Sequence, residues 1–161
     1  MTNPMRHFLN WLFCLSVAAT TSAAEIVGVV TKVSDGDTIW VTAKTGREKI
    51  RLDRIDAPET DQPYGRESTA ILSNMVRGQQ VRVDYSKRDQ YGRVLGIGFL
   101  GTNDVNLAMV REGAAWHYKY FDKTPAYSES EADAKSNRRG LWAKDTPINP
   151  YEWRRRRRAG R

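Results

Sequence analysis

One cysteine, Cys14, and two histidines, His7 and His117, are the only thiol and imidazole groups in 161 residues. With that one cysteine close to the N-terminus, the scarcity argues against a disulfide-stapled scaffold and a Cys/His zinc site. Long apolar runs are missing too. The longest, Phe8–Ala19, is about 12 residues, against the roughly 20 that a bilayer-spanning helix needs. No repeat of solenoid length is visible, so the body reads as one folding unit.

Positive charge looks abundant but is confined to the ends. The formal net charge is +7, of which Arg6 supplies one and the arginines at 154–158 and 161 supply six. Residues 25–153 are therefore neutral, with 19 basic and 19 acidic side chains. The basic balance speaks for a polyanion-attracting tail and says nothing of the body. An arginine run of this kind ordinarily forms a solvated, disordered end.

Arg6, the apolar Phe8–Ala19 and the small residues Thr20–Ala24 follow the layout of a secretory signal peptide. Ser22 and Ala24 suit cleavage before Glu25, and a cut after Ala23 fits as well. Bulky Trp11 and Phe13 before Cys14 argue against a lipoprotein signal. The expected organisation is a signal at 1–24, a globular domain at 25–145, and a proline-containing linker with a basic tail at 146–161. The protein is expected to be secreted or periplasmic, monomeric, and without a membrane anchor once the signal is removed.

Within the domain, Glu25–Val33 and Thr38–Ala43 are β-branched runs separated by Ser34-Asp35-Gly36, a hairpin signature. Glu48–Ile55 alternates as a third strand after Thr45-Gly46. Tyr64–Val76 shifts to helical spacing, through Ala70, Ile71, Met75 and Val76. Gln80–Tyr85 and Val94–Leu100 give two more strands. Asn103 or Asp104 caps a helix running to about Glu112, stopped by Gly113. Ser128–Asn137 is a further helix, with Glu131 in a capping box, and Gly140-Leu141-Trp142 closes it. The pattern predicts an α+β fold with a mainly β core: a five-stranded antiparallel OB-type barrel with about three packed helices.

Three short segments carry chemistry: Asp35-Gly36-Asp37-Thr38, Arg51 to Glu59, and Asp89 to Arg93. Taken singly, each also reads as an ordinary turn or a solvated strand end. Together they supply what phosphodiester hydrolysis requires. Asp37 and Asp56, with the Ala57 carbonyl, are oxygen ligands suited to a hard divalent cation. Glu59 is a base for a water molecule, and Arg51 and Arg93 are bidentate phosphate clamps. Arg51 and Asp56 are five residues apart, so a flat strand sends them to opposite faces. A bulge or sharp coil near Arg54-Ile55 is required. Tyr118 and Tyr120 offer faces on which bases stack. His117 reads as structural.

The set Asp-Gly-Asp-Thr, Arg-x4-Asp-x-Pro-Glu and Asp-x-Tyr-Gly-Arg resembles the staphylococcal nuclease (thermonuclease) family. The likeness runs from about Ile26 to Trp142, through Val105-Asn106 and Arg111-Glu112-Gly113. It implies an OB-fold barrel with three helices and a calcium-dependent nuclease acting on DNA and RNA. Such an enzyme uses one Ca²⁺ ion and water as nucleophile, and leaves 3′-phosphate ends. It also implies that Asp37 and Asp56 bind the metal, that Ala57 adds its carbonyl, and that Glu59 is the general base. Arg51 and Arg93 are then the phosphate-binding arginines, with Tyr91 beside the nucleotide. Three departures stand out. Ala57 and Gln90 replace a threonine and a lysine, and Asp61-Gln62-Pro63 is a shortened loop. The alternative is a catalytically weak nucleic-acid-binding OB-fold module.

Overall fold

A computed structural model describes residues 24–144 and 146–160. The expected signal segment lies outside the described residues except for Ala24, which begins the first strand. Strands β1 (Ala24–Asp35), β2 (Thr38–Ala43) and β3 (Gly46–Leu52) form a meander. A short β4 (Ile55–Asp56) follows, then helix α1 (Gly65–Val76) and strands β5 (Gln80–Arg88) and β6 (Val94–Leu100). The remainder comprises β7 (Asn103–Asp104), α2 (Val105–Arg111), β8 (Trp116–His117), α3 (Pro125–Ser136), a 3₁₀ turn (Gly140–Ala143) and α4 (Pro150–Ala159).

The sheet order is β3-β2-β1-β5-β6-β7, and a further pairing of β3 with β6 closes five of these strands into a barrel. That closing pair is parallel, with Ile50 opposite Val94 and Leu52 opposite Gly96, so the barrel is mixed rather than wholly antiparallel. Alternation along the strands sends Val30, Ile39, Val41, Ile50, Leu52, Val81, Val83 and Val94 inward. Leu72 and Val76 of α1, with Met109 and Val110 of α2, are buried in the same cluster. Ala134, Leu141 and Trp142 form a smaller cluster with Tyr64 and Trp116.

The third strand is not continuous to Ile55. It ends at Leu52, and Arg54 adopts a left-handed conformation (φ 66°) before β4. This is the sharp coil that the Arg51–Asp56 spacing requires. Several contacts stabilise a conformation that a non-glycine residue seldom adopts. The Asp53 N–H donates to Gly96 O (2.8 Å), and the Arg54 N–H donates to Asp53 Oδ1 (2.9 Å). The Tyr118 N–H donates to Arg54 O (2.7 Å). Asn106, fully buried on α2, donates through Nδ2 to Asp53 O (2.8 Å) and Gly96 O (3.1 Å), and accepts from the Gly98 N–H (3.0 Å).

Two glycines allow the loops to close on the barrel. A Cβ on Gly36 would lie 2.0 Å from Ser68 Oγ and 2.7 Å from Ala57 Cβ. One on Gly65 would lie 1.8 Å from Glu59 O. Both positions let the hairpin tip and the Glu59 loop pack against α1 at distances no side chain permits.

Two expectations are corrected. Helix α3 starts at Pro125 behind Thr124, because proline suits the first helical turn, where no N–H is needed. Glu131 therefore lies mid-helix and is not part of a capping box. Its Oε1 accepts from the His117 N–H (3.1 Å), and its Oε2 pairs with Lys119 (2.6 Å) and Lys135 (2.8 Å). The C-terminal segment is not a disordered tail over the described residues. Asn149 Oδ1 accepts from the Tyr151 N–H (2.9 Å), Pro150 takes the first turn, and residues to Ala159 are helical. There are thus four α-helices among the described residues where about three were expected.

Asn106→Leu should lower unfolding free energy by roughly 2–4 kcal/mol, because it strands the Asp53 carbonyl and the Gly98 N–H without partners. Urea denaturation measures this. Glu131 gives a pH-dependent counterpart. Burial opposes its charge, but hydrogen bonds from Lys119 and Lys135 overcome this and hold its pKa below the ordinary value. A carboxylate with a depressed folded-state pKa stabilises above its unfolded pKa and loses that contribution as pH falls through the folded value. Glu131→Gln should therefore cost roughly 1–2 kcal/mol near neutral pH and almost nothing in acid below that range, read from melting curves across pH.

Candidate active site

The turn at Arg54 brings Arg51 and Asp56 to the same side of the chain, facing the tip of the β1–β2 hairpin. Arg51 Nη2 is 3.1 Å from Asp37 Oδ2 and 3.1 Å from Asp56 Oδ1, so one nitrogen bridges the two carboxylates. Its Nη1 donates to Leu52 O (2.7 Å) and Ile55 O (3.0 Å), which fixes the guanidinium across the strand break. Asp37 accepts from the Ala57 N–H through Oδ2 (2.8 Å) and from Thr38 Oγ1 through Oδ1 (3.1 Å). Its own N–H donates to Asp35 Oδ1 (3.1 Å), and its carbonyl accepts from the Leu52 N–H (2.8 Å). Pairing of β4 with β8 sets Asp56 opposite Trp116.

Both aspartates are buried. Burial pushes Asp37 up to about 6; the nearby Arg51 charge opposes this and that of Asp35 adds to it. Asp56 is raised for the same leading reason, while a hydrogen bond from Arg154 opposes the rise and the Asp37 charge adds to it. Two carboxylates buried side by side repel each other and lose hydration, and a cation between them relieves both costs.

An open cleft of about 630 Å³ lies in front of these groups. Asp37, Arg51, Asp56, Ala57 and Glu59 line it, together with Lys87 of β5 and Asp89, Gln90, Tyr91 and Arg93 of the β5–β6 turn. Asp89 orders that turn by accepting from the N–H groups of Tyr91 (2.9 Å) and Arg93 (3.0 Å). Its Oδ2 also accepts from Arg93 Nε at 2.7 Å, and the Arg93 guanidinium lies 5.6 Å from the Tyr91 ring centroid. Arg93 is thereby steered through Nε.

Tyr118 also lines the cleft, next to Phe121 (ring centroids 4.9 Å apart). Tyr120 does not. It is 81% exposed and packs edge-on against Phe121. His117 is held by Asp122 at Nε2 (2.8 Å) and by Ser128 Oγ at Nδ1 (3.2 Å), away from the carboxylates, in accordance with its structural reading.

The sequence reading missed one residue of the site altogether. Arg154 of α4 donates through Nη1 to Asp56 Oδ1 (3.2 Å) and Glu59 Oε1 (2.8 Å), and through Nη2 to Asp56 Oδ2 (2.9 Å). Burial works against its charge, yet the hydrogen bonds to Asp56 and Glu59 raise its pKa above the ordinary arginine value. The signal available was Asn149-Pro150, a helix start, placed before the arginines. Nothing in the sequence says where that helix docks.

Among the described residues no three His, Cys, Asp or Glu side chains form a metal-binding group. The candidate set is instead the two buried carboxylates of Asp37 and Asp56, bridged by one guanidinium nitrogen. Carboxylate oxygen donors suit a hard divalent cation and not a thiophilic one.

The comparisons with known proteins agree with this geometry. The chain matches the family described as Staphylococcal nuclease homologue over residues 49–144. It is 44% identical over 135 residues to a protein of Escherichia coli named an uncharacterized endonuclease, covering 83% of this chain and 88% of that one. A Haemophilus influenzae protein of the same name is 37% identical over 145 residues, covering 89% and 82% of the two chains. A probable staphylococcal-like nuclease of Oryza sativa subsp. japonica is 42% identical over 112 residues, which is 70% of this chain and 34% of that longer protein. The chain belongs to the staphylococcal nuclease homologue family and is a nuclease, a hydrolase of phosphodiester bonds.

Proposed function

We propose that this nuclease is calcium-dependent, that it cuts both DNA and RNA to leave 3′-phosphate ends, and that it acts outside the cytoplasm as a monomer. The observation that carries the catalytic part is that Asp37, Asp56, Glu59, Arg51 and Arg93 line one cleft, with Arg51 bridging the two aspartates. Asp37, Asp56 and the Ala57 carbonyl would hold one Ca²⁺ ion. When bound, that ion supplies Lewis-acid stabilisation of charge on the phosphate.

The chain's own groups do the remaining work. Glu59 removes a proton from water, whose oxygen attacks phosphorus. The bond from phosphorus to the 5′ oxygen breaks, that oxygen gains a proton, and the phosphate stays on the 3′ side. Arg51 and Arg93 offset the charge that develops on the pentavalent phosphorus. Asp89 preorganises Arg93 for this through Nε. Tyr91 and Tyr118 provide ring faces for bases, a contact that does not depend on sequence or on the 2′-hydroxyl. Tyr120, outside the cleft lining, is assigned to base stacking only on longer strands.

Export rests on the pattern of residues 1–24, and among the described residues no helix is long and apolar enough to cross a membrane. The test is the mass of the protein recovered from periplasm and medium, which should begin at Glu25 or Ala24.

Protein spanning residues 25–161 should cleave single-stranded DNA and RNA in calcium and stop in chelator, with 3′-phosphate termini on the products. Binding without cleavage in calcium would instead make it the nucleic-acid-binding module. Glu59→Gln should lower kcat by at least ~10²-fold while strand binding is retained. Arg93→Ala should lower kcat/KM by about 10²–10³-fold through lost charge stabilisation. A Glu59→Gln variant that turns over at the wild-type rate removes the general-base assignment.

A further inference from the structure

Helix α4 is docked on the catalytic loop. Gln62 Nε2 donates to Ile148 O (2.6 Å) just before the helix, and Pro150 at its start is buried. Asp61 accepts from Trp153 Nε1 (3.4 Å) and pairs with Arg157 (2.7 Å). These contacts turn the side chains one helical turn apart, Arg154 and Arg158, toward the cleft, and both line it. At the site end, Arg154 satisfies both oxygens of Asp56 and one of Glu59.

That arrangement conflicts with the proposed chemistry unless Arg154 moves. A carboxylate gripped at both oxygens by a guanidinium fork has its lone pairs committed. A divalent cation placed beside the same guanidinium is also repelled by it. A cation on Asp56 and Arg154 on Asp56 therefore compete. Arg154 is not lost to solvent when it yields, because α4 stays tethered at Ile148 and Pro150, a turn away. A substrate strand bound in the same cleft would bring a phosphate into it, and both Arg154 and Arg158 line that cleft.

We propose that Arg154 is a third phosphate-binding arginine of this nuclease, supplied by the C-terminal helix, which rests on Asp56 and Glu59 until a cation displaces it onto the substrate. This rests on the assignment of Asp56 as a metal ligand. It explains why an arginine run that would be expected to be solvated has a folded, docked face. It also gives the arginine-rich segment a defined partner, the phosphate nearest the cut rather than polyanions in general.

Calorimetric titration of calcium, without nucleic acid, tests the first half on wild type, Arg154→Met and Arg154→Lys. Arg154→Met should bind calcium about tenfold or more tightly than wild type, because the competitor is gone. Arg154→Lys should fall between them, since lysine keeps the charge without the fork. The second half is read from oligonucleotide cleavage at saturating calcium, where Arg154→Met should lose on the order of 10²-fold in kcat/KM despite its tighter metal. Tighter metal with worse cleavage is a combination that a merely structural ion pair does not produce. Calcium affinity of Arg154→Met within threefold of wild type overturns the exchange. Cleavage by Arg154→Met equal to or faster than wild type overturns the phosphate role. If wild type binds calcium and the variant binds it equally, only this inference fails. If neither binds calcium, the metal assignment fails with it.

Discussion

The site depends on one backbone turn. Arg51 lies near the end of β3 in the barrel and Asp56 in β4, which pairs separately with β8. One unbroken strand through both would point them to opposite faces, and the left-handed Arg54 breaks it. Such a conformation costs of order 1–3 kcal/mol and persists only where its surroundings over-determine it. Here the surroundings are the buried Asn106, the Gly96 carbonyl and the Tyr118 N–H, drawn from α2, β6 and the segment after β8. The barrel and its flanking elements thus hold a strained loop, and that loop gives Arg51 access to both aspartates.

The electrostatics follow from that position. Two carboxylates are kept away from water by the hairpin tip, the β4–β8 pair and helix α1, and burial raises the pKa of each. Arg51 alone does not offset both charges. The remaining demand for positive charge is met by Arg154, and a divalent cation would meet it more fully. Charge balance at this point therefore links the two aspartates, Arg51 and the docking of the C-terminal helix through Arg154.

The two arginines of the motifs differ in the way they are held. Arg51 donates to two backbone carbonyls as well as to both aspartates, which ties it to the strand break. Arg93 is fixed only through Nε to Asp89, on a turn that the same aspartate organises. The cleft thus holds one arginine tied to the acids and the backbone and one held by Asp89 beside the Tyr91 ring on the β5–β6 turn.

The strands, α1, α2 and the three acidic and basic segments were legible in the sequence because they depend on local signals: alternation of period two, helical spacing, and turn residues at the hairpin tip. Even the break near Arg54 followed from counting five residues between Arg51 and Asp56. The parallel closure of β3 on β6 was not legible, since nothing local encodes which distant strands meet. The roles of Glu131 and Asn106 depend on partners 14 and 53 residues away. Arg154 is the clearest case. Its charge and its helix start are written in the chain, yet its contact with Asp56 spans 98 residues and is decided only when α4 packs on the Asp61–Gln62 loop. By itself, the sequence determined the barrel strands and the motif segments that supply the acids and two of the arginines lining the cleft. Tertiary structure decided which of them share a charge balance, because electrostatic partnership in a buried site depends on distance in space and not along the chain.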